Sequence, residues 1–187
     1  MTRWTIDQTH SEVGFRVKHM MIATIRGRFR DVVGTIDVDE DAPERSSVEA
    51  KITVASIDTG VEQRDEHLRS ADFFDAANYP EIAFESTRIE RAGAGYRIHG
   101  DLTIRDTTRS ILLESERLGV VGGMDGVRRA AFSARTEISR KDWGLTWNVA
   151  LEAGGWLVGD EIGVELDIAA IEVQEVGQHP ELSRPAA

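Results

Sequence analysis

The chain reads as all-β, an eight-stranded antiparallel β-barrel with one short helix near its mouth. Three observations carry this. Apolar residues recur at every second position through most of the chain, the period of a strand with one buried face. The segments so marked, about eight of them, are joined mostly by short turns, as in an antiparallel sandwich or up-and-down barrel. A single stretch, Thr59 to Phe84, carries a helix signal. Several segments run to about 8–12 residues, and closure of such strands leaves no exposed edge, which favours a barrel.

In chain order, Val13, Phe15 and Val17 alternate with Gly14, Arg16 and Lys18. Gly27 and Phe29 start a run on one parity, while Val32, Gly34, Ile36 and Val38 continue on the other. That slip predicts a β-bulge near Arg30–Val32. Asp41-Ala42-Pro43 ends the strand, and Val48, Ala50, Ile52 and Val54 form the next.

In the helical stretch, Thr59 followed by Glu62 is a capping box, which predicts a helix starting at Gly60. Asp65 and Glu66 early and His67 and Arg69 late suit the helix dipole, and Val61 and Leu68 can share one face. Phe73-Phe74 needs cover, and Asn78-Tyr79-Pro80 closes the segment.

Beyond it, Ile82 and Phe84 open a strand and Ala92-Gly93-Ala94-Gly95 turns the chain. Tyr96, Ile98, Gly100, Leu102 and Ile104 give the clearest alternation, closed by the turn Arg105-Asp106-Thr107. Ile111 and Leu113 lead to a loop Gly119–Gly126, where Asp125-Gly126 is a turn signal. Phe132, Ala134, Thr136 and Ile138 form one more strand; Ile162, Val164, Leu166 and Ile168 form the last. Ser139 to Asp160 breaks the rhythm and holds Trp143, Trp147 and Trp156, which suit core packing or the lining of a ligand mouth. One domain over residues 1–176 is expected, with a polar, Pro-bearing, disordered tail over 177–187.

The net charge of −11 argues against a nucleic-acid partner and disfavours a standing attraction to anionic membranes. The absence of cysteine excludes disulfides and thiol chemistry. No apolar run reaches the ~18–20 residues of a membrane span, so no stable membrane insertion is expected. The start, MTRWTIDQTHSEV, lacks the apolar core of a secretory signal, and the expected location is cytoplasmic.

No catalytic or metal constellation emerges, and no cofactor motif is found. His10 and Ser11 are neighbours on an extended segment, so they point to opposite faces. Asp37, Asp39 and Asp41 mimic the start of a calcium loop, but Ala42 and Val48 stand where glycine and glutamate are required. No His pair has zinc spacing, and Gly93-Ala94-Gly95 lacks the third glycine of a dinucleotide fingerprint. Arg64 and Asp65 suit either fixing the helix to the barrel rim or holding a ligand head group.

Strand parity supplies the candidate lining of an apolar interior. It comprises Val13, Phe15 and Val17; Phe29; Ile52 and Val54; Phe84; Leu102 and Ile104; Phe132 and Ile138; and Ile162, Val164 and Leu166. Phe74 and Trp143 join it from the irregular stretches. Small inward residues such as Ala50, Gly100 and Ala134 suggest unfilled room, since an eight-stranded barrel either packs solid or holds one ligand.

From Trp4 to Ile171 the chain resembles the YceI-like polyisoprenoid-binding family. The resemblance rests on His10-Ser11-x-Val13-x-Phe15-x-Val17-x-His19, Gly27-Arg28-Phe29, and Thr59 with Arg64-Asp65-x-His67-Leu68. It continues through Asp72-Phe73-Phe74-Asp75, Tyr79-Pro80-x-Ile82-x-Phe84, Gly100-x-Leu102-Thr103-Ile104 and Arg140-Lys141-Asp142-Trp143-Gly144. It implies a lipocalin-like barrel with an apolar tunnel that binds a polyisoprenoid or related fatty lipid without catalysis. It also implies a homodimer. Two other readings stay open: an enzyme acting on a small apolar substrate through His19, His67 or a buried carboxylate, and a barrel packed solid as a scaffold.

Overall fold

The computed structural model describes residues 1–123 and 126–174. The expected turn residue Asp125 and the expected tail 177–187 lie outside the described residues. Among the described residues, eleven strands form one antiparallel sheet that closes on itself. They are β1 Thr2–Ile6, β2 Glu12–His19, β3 Ala23–Phe29, β4 Val32–Val38, β5 Ser47–Thr53, β6 Ile57–Asp58, β7 Glu81–Ala92, β8 Gly95–Ile104, β9 Thr107–Gly122, β10 Arg128–Ser139 and β11 Val158–Glu172.

These strands make eight staves, because three staves are interrupted strands. β1 and β2 both pair with β11, with a 3-10 turn over Gln8–His10 between them. β4 lies on β1 and β3 on β2, and β5 lies on β4 and β6 on β3. The pairing of β1 with β11 completes the barrel. The parity slip after Phe29 is real: Phe29 and Val32 are both buried, with Arg30 and Asp31 between the two strands.

Two strand expectations need correction, and one strand carried no signal. Val54 does not extend β5; it starts a 3-10 turn over Val54–Ser56 and is fully buried there. β9 runs on to Gly122, through most of the expected loop Gly119–Gly126, because it stays paired with β10 as far as Gly122 opposite Arg128. The strand β1 carries only two inward apolar residues, Trp4 and Ile6, too few to mark it by alternation.

The helix α1 covers Glu62–Arg69, starting later than Gly60, and Thr59 does not cap it. Buried Asp65 reaches back instead, accepting from the Thr59 backbone N–H at 2.9 Å and from its hydroxyl at 2.5 Å. Val61 is exposed while Leu68 packs on the core, so the two do not share a buried face. Among the described residues no helix is long and apolar enough to cross a membrane.

Candidate functional site

Below α1, at the upper end of the barrel, a chamber of about 170 Å³ is lined by Phe15 and Val17 of β2, Ile25 of β3, Leu68, Phe73, Trp147 and Leu157. Its polar lining comes from Lys18, His19, Thr59, Arg64 and His67. At the lower end a second chamber, of about 100 Å³, lies among inward residues of seven strands. Ile36, Val38, Val48, Ile89, Ile98, Leu113, Phe132, Ala134, Leu166 and Ile168 make its walls, with Tyr96, Ser115 and Arg117 beside them.

A packed layer holds the middle of the barrel. Phe29 meets Phe15 with ring centroids 5.7 Å apart and Phe74 at the same distance, edge to face. Val13, Val32, Ile82 and Ile104 are buried in the same core. The expected continuous bore is therefore interrupted. Ligand pockets commonly span ~300–1,000 Å³, so each chamber is small in this form, and a long chain needs the aromatic layer to move.

The small inward residues explain much of the filling. A Cβ at Gly100 would collide with the ring of Phe84, and one at Gly27 with the ring of Phe15 and with Thr59. These glycines are seats for aromatic rings, not empty space. Ala134 alone of the small residues singled out above lines a chamber.

The candidate lining residues separate accordingly. Phe15 and Val17 line the upper chamber, Phe132 and Leu166 the lower. Ile138, Trp143 and Val164 line a side recess. Val13, Phe29, Val54 and Ile104 are buried in the packed core, with Ile52, Phe74 and Leu102 against it. Phe84 is buried over Gly100, and Ile162 is half-buried on β11. Parity also holds for Ile36, Val38, Ile98 and Ile168, which line the lower chamber and were not chosen as candidates.

The side recess, about 740 Å³, lies where the wall is unlaced. The ladder between β9 and β10 ends at Arg135 opposite Glu114. Beyond it, Thr107–Leu113 lies only on β8 and Thr136–Ser139 only on β11. Ile111, Ile138, Trp143 and Val164 are reached through this gap, with Arg109, Glu114, Arg135 and Glu137 on its rim.

The roof is held by two buried charges. The guanidinium of Arg140, 5% exposed, donates to the carbonyls of Leu145, Trp147, Gly159 and Val158 and to Asp160. Burial pushes its pKa below the ordinary arginine value, and the Asp160 carboxylate opposes that shift. This one side chain folds the long 140–160 stretch over the barrel end, and the sequence marked it only within a motif. Trp143 then donates its indole N–H to the Leu102 carbonyl at 3.0 Å.

On the other side Arg64 donates to the Thr59 hydroxyl and carbonyl, and Asp65 accepts from Thr59. Of the two roles open to Arg64 and Asp65, helix anchoring is the one their hydrogen bonds serve. His67 stands edge-on to Trp147, centroids 4.6 Å apart, and pairs with Asp72 at 2.9 Å. Asp58 ties β6 to β3 through Arg30 and Arg28, and the Arg30 hydrogen bond, helped by the Gly60 N–H, lowers its pKa to about 2.

His10 is paired with Asp7 and Ser11 with the Ala169 backbone, so they do not act on each other. Among the described residues no group of three or more His, Asp or Glu is placed to hold a metal ion.

The YceI-like domain model matches residues 4–170. The "UPF0312 protein plu2095" of Photorhabdus laumondii subsp. laumondii is 37% identical over 134 residues, 72% of this chain and 70% of that protein. "Protein YceI" of Escherichia coli O157:H7 is 38% identical over 136 residues, 73% of this chain and 71% of that one. Among solved structures, the Campylobacter jejuni YCEI protein superposes with a TM-score of 0.71 at 30% identity, covering 84% of this chain and 90% of the other. A polyisoprenoid binding domain from Saccharophagus degradans shares the fold, with a TM-score of 0.66 at 15% identity over 91% of this chain and 98% of that one. With its model matched across nearly the whole barrel and relatives this similar, the chain belongs to the YceI-like family.

Proposed function

We propose that this barrel holds a long apolar chain, a polyisoprenoid or related fatty lipid, for carriage, storage or sequestration. The observation that carries the reading is the pair of apolar chambers on one barrel, divided by a packed layer of aromatic side chains. The shared fold with a domain described as polyisoprenoid-binding supports it. Each buried CH₂ contributes ~0.8 kcal/mol, so a five-carbon prenyl unit gives about 3–4 kcal/mol gross, against several kcal/mol of binding cost. A few units then suffice for micromolar binding on apolar contact alone. In this reading a polar head at the upper mouth meets His67 or the part of Arg64 not bonded to Thr59.

The test is gentle purification, solvent extraction and mass spectrometry, followed by titration with prenyl chains of increasing length. Affinity that rises with chain length is the expected result; no extracted lipid and no uptake would count against the reading.

The enzyme reading keeps one observation in its favour: His67, paired with Asp72, lines the upper chamber. If His67→Ala binds prenyl chains as the parent does, and no substrate turnover is detectable in either, that reading is dropped.

A further inference from the structure

The rim of the upper chamber carries an apolar tip that the lipid-holding reading leaves unused. Ile22 is 83% exposed and Met21 66%, with Met20 beside them on the turn between β2 and β3. A second turn stands next to it, bearing Val149 and Trp156, the latter 55% exposed. The two turns are stitched together. The Met20 N–H donates to the Leu157 carbonyl at 2.8 Å, and the Leu157 N–H to the Val149 carbonyl at 2.9 Å. The Met21 thioether lies on Gly155, where a Cβ would not fit. His19 and Leu157, next in the chain to Met20 and Trp156, line the chamber itself, so the tip borders its opening.

Two further features single out this tip. In the three-residue connection Met20–Ile22, Met20 and Met21 sit at φ of 50° and 62°, the left-handed region that a β-turn normally gives to Asn and Gly. Two bulky apolar residues are kept on an exposed turn whose backbone disfavours them, which directs attention to what the side chains do. The charge is also uneven. Residues 13–30 hold Arg16, Lys18, Arg26, Arg28 and Arg30 and no carboxylate, in a chain of net −11. Arg16 pairs with Glu165, Arg28 with Glu12 and Asp58, and Arg30 with Asp58. Lys18 bonds only the Thr24 hydroxyl, and Arg26 has no carboxylate partner among the described residues. These two outward cations stand just behind the apolar tip, and Glu152 is the carboxylate of the neighbouring turn.

We propose that this double turn docks reversibly on a lipid bilayer bearing anionic headgroups. Met20, Met21 and Ile22 enter the interface, and Trp156 sits at headgroup level, where tryptophan is favoured. Lys18 and Arg26 meet lipid phosphates, a local attraction that the net charge conceals. The chamber opening then faces the lipid. A second copy of the chain is the competing occupant, but a symmetric tip-to-tip contact would bring the unpaired cations of both copies together. The inference adds a partner to the lipid-holding reading, and its test requires nothing in the chamber, so either can fail alone.

The experiment is co-sedimentation of the full chain with vesicles of phosphatidylcholine alone or mixed with phosphatidylglycerol, with brominated lipid as a quencher of tryptophan. Tighter binding to the mixed vesicles, weakened by salt, and quenched emission are expected. The double variant Lys18→Ser, Arg26→Ser should bind mixed vesicles roughly twenty- to thirtyfold more weakly, about fivefold per cation, and phosphatidylcholine unchanged. Met20→Asn with Met21→Gly should melt at a higher temperature, because the turn prefers those residues, yet bind about tenfold more weakly or worse. Wild-type protein that ignores both vesicles, or turn variants that bind as the parent does, would overturn the proposal. So would a concentration-dependent dimer that the turn variant makes monomeric while vesicles stay unbound, which assigns the tip to a second copy.

Discussion

Phe74, from the segment after α1, places its ring edge-on to Phe29 of β3, with centroids 5.7 Å apart and planes at 84°. One residue belongs to the barrel wall and the other to its roof. Their contact joins the layer between the chambers to the cover of the upper one. Truncating the roof partner, Phe74→Ala, should cost about 2–3 kcal/mol of stability, less than a fully buried phenylalanine because Phe74 is half-buried. The same change should raise the uptake of long prenyl chains. Urea unfolding and ligand titration on one preparation read both effects, and a loss of stability with no gain in uptake would remove this layer as the barrier.

Arg140 should be the least replaceable residue of the roof. Its guanidinium serves four carbonyls and Asp160 at once, a fan of donors that an ammonium cannot reproduce. Arg140→Lys should lose about 2–4 kcal/mol, since buried carbonyls are left without donors. Hydrogen exchange should then accelerate across 144–158 while β7 and β8 keep their protection. Uniform acceleration would mean that the roof and barrel unfold together.

Acid should loosen β3 from β6. The folded pKa of Asp58 is lowered to about 2 by Arg30, below the ordinary carboxylate value of 3.8. A depressed pKa gives stability that is present above 3.8 and lost as pH falls toward 2. Asp37, held low by its Arg3 hydrogen bond, acts in the same direction between β1 and β4. Melting temperatures of the parent and Asp58→Asn should differ at pH 6 and converge as the pH nears about 2. A constant gap over that range would show that Asp58 acts by hydrogen bonding alone.

The unlaced seam should exchange first. Backbone groups of Thr107–Leu113 and Thr136–Ser139 have a strand neighbour on one side only. Their amides should lose protection well before the paired section around Ala134 opposite Ser115. Saturating prenyl ligand should slow this exchange if chains pass through the gap, and leave it unchanged if they pass only under α1.

The sequence by itself determined most of the strands, the change of parity after Phe29 and the family. Alternation in Tyr96–Ile104 and Ile162–Ile168 is a local property, and the period of two declares which side chains turn inward. It also made Phe15, Val17, Phe132 and Leu166 visible as inward residues. Tertiary structure alone decided whether inward meant lining or filling. Gly100 reads as spare room until Phe84, from the neighbouring strand, is seen to lie across it. Thr59 and Glu62 read as a capping box until Asp65, six residues beyond Thr59, takes the hydroxyl. Trp4 and Ile6 mark no strand until β11, far along the chain, accepts β1 and closes the barrel. Volume, closure and hydrogen-bond competition depend on residues distant in the chain, and a local pattern carries no information about which of them will arrive.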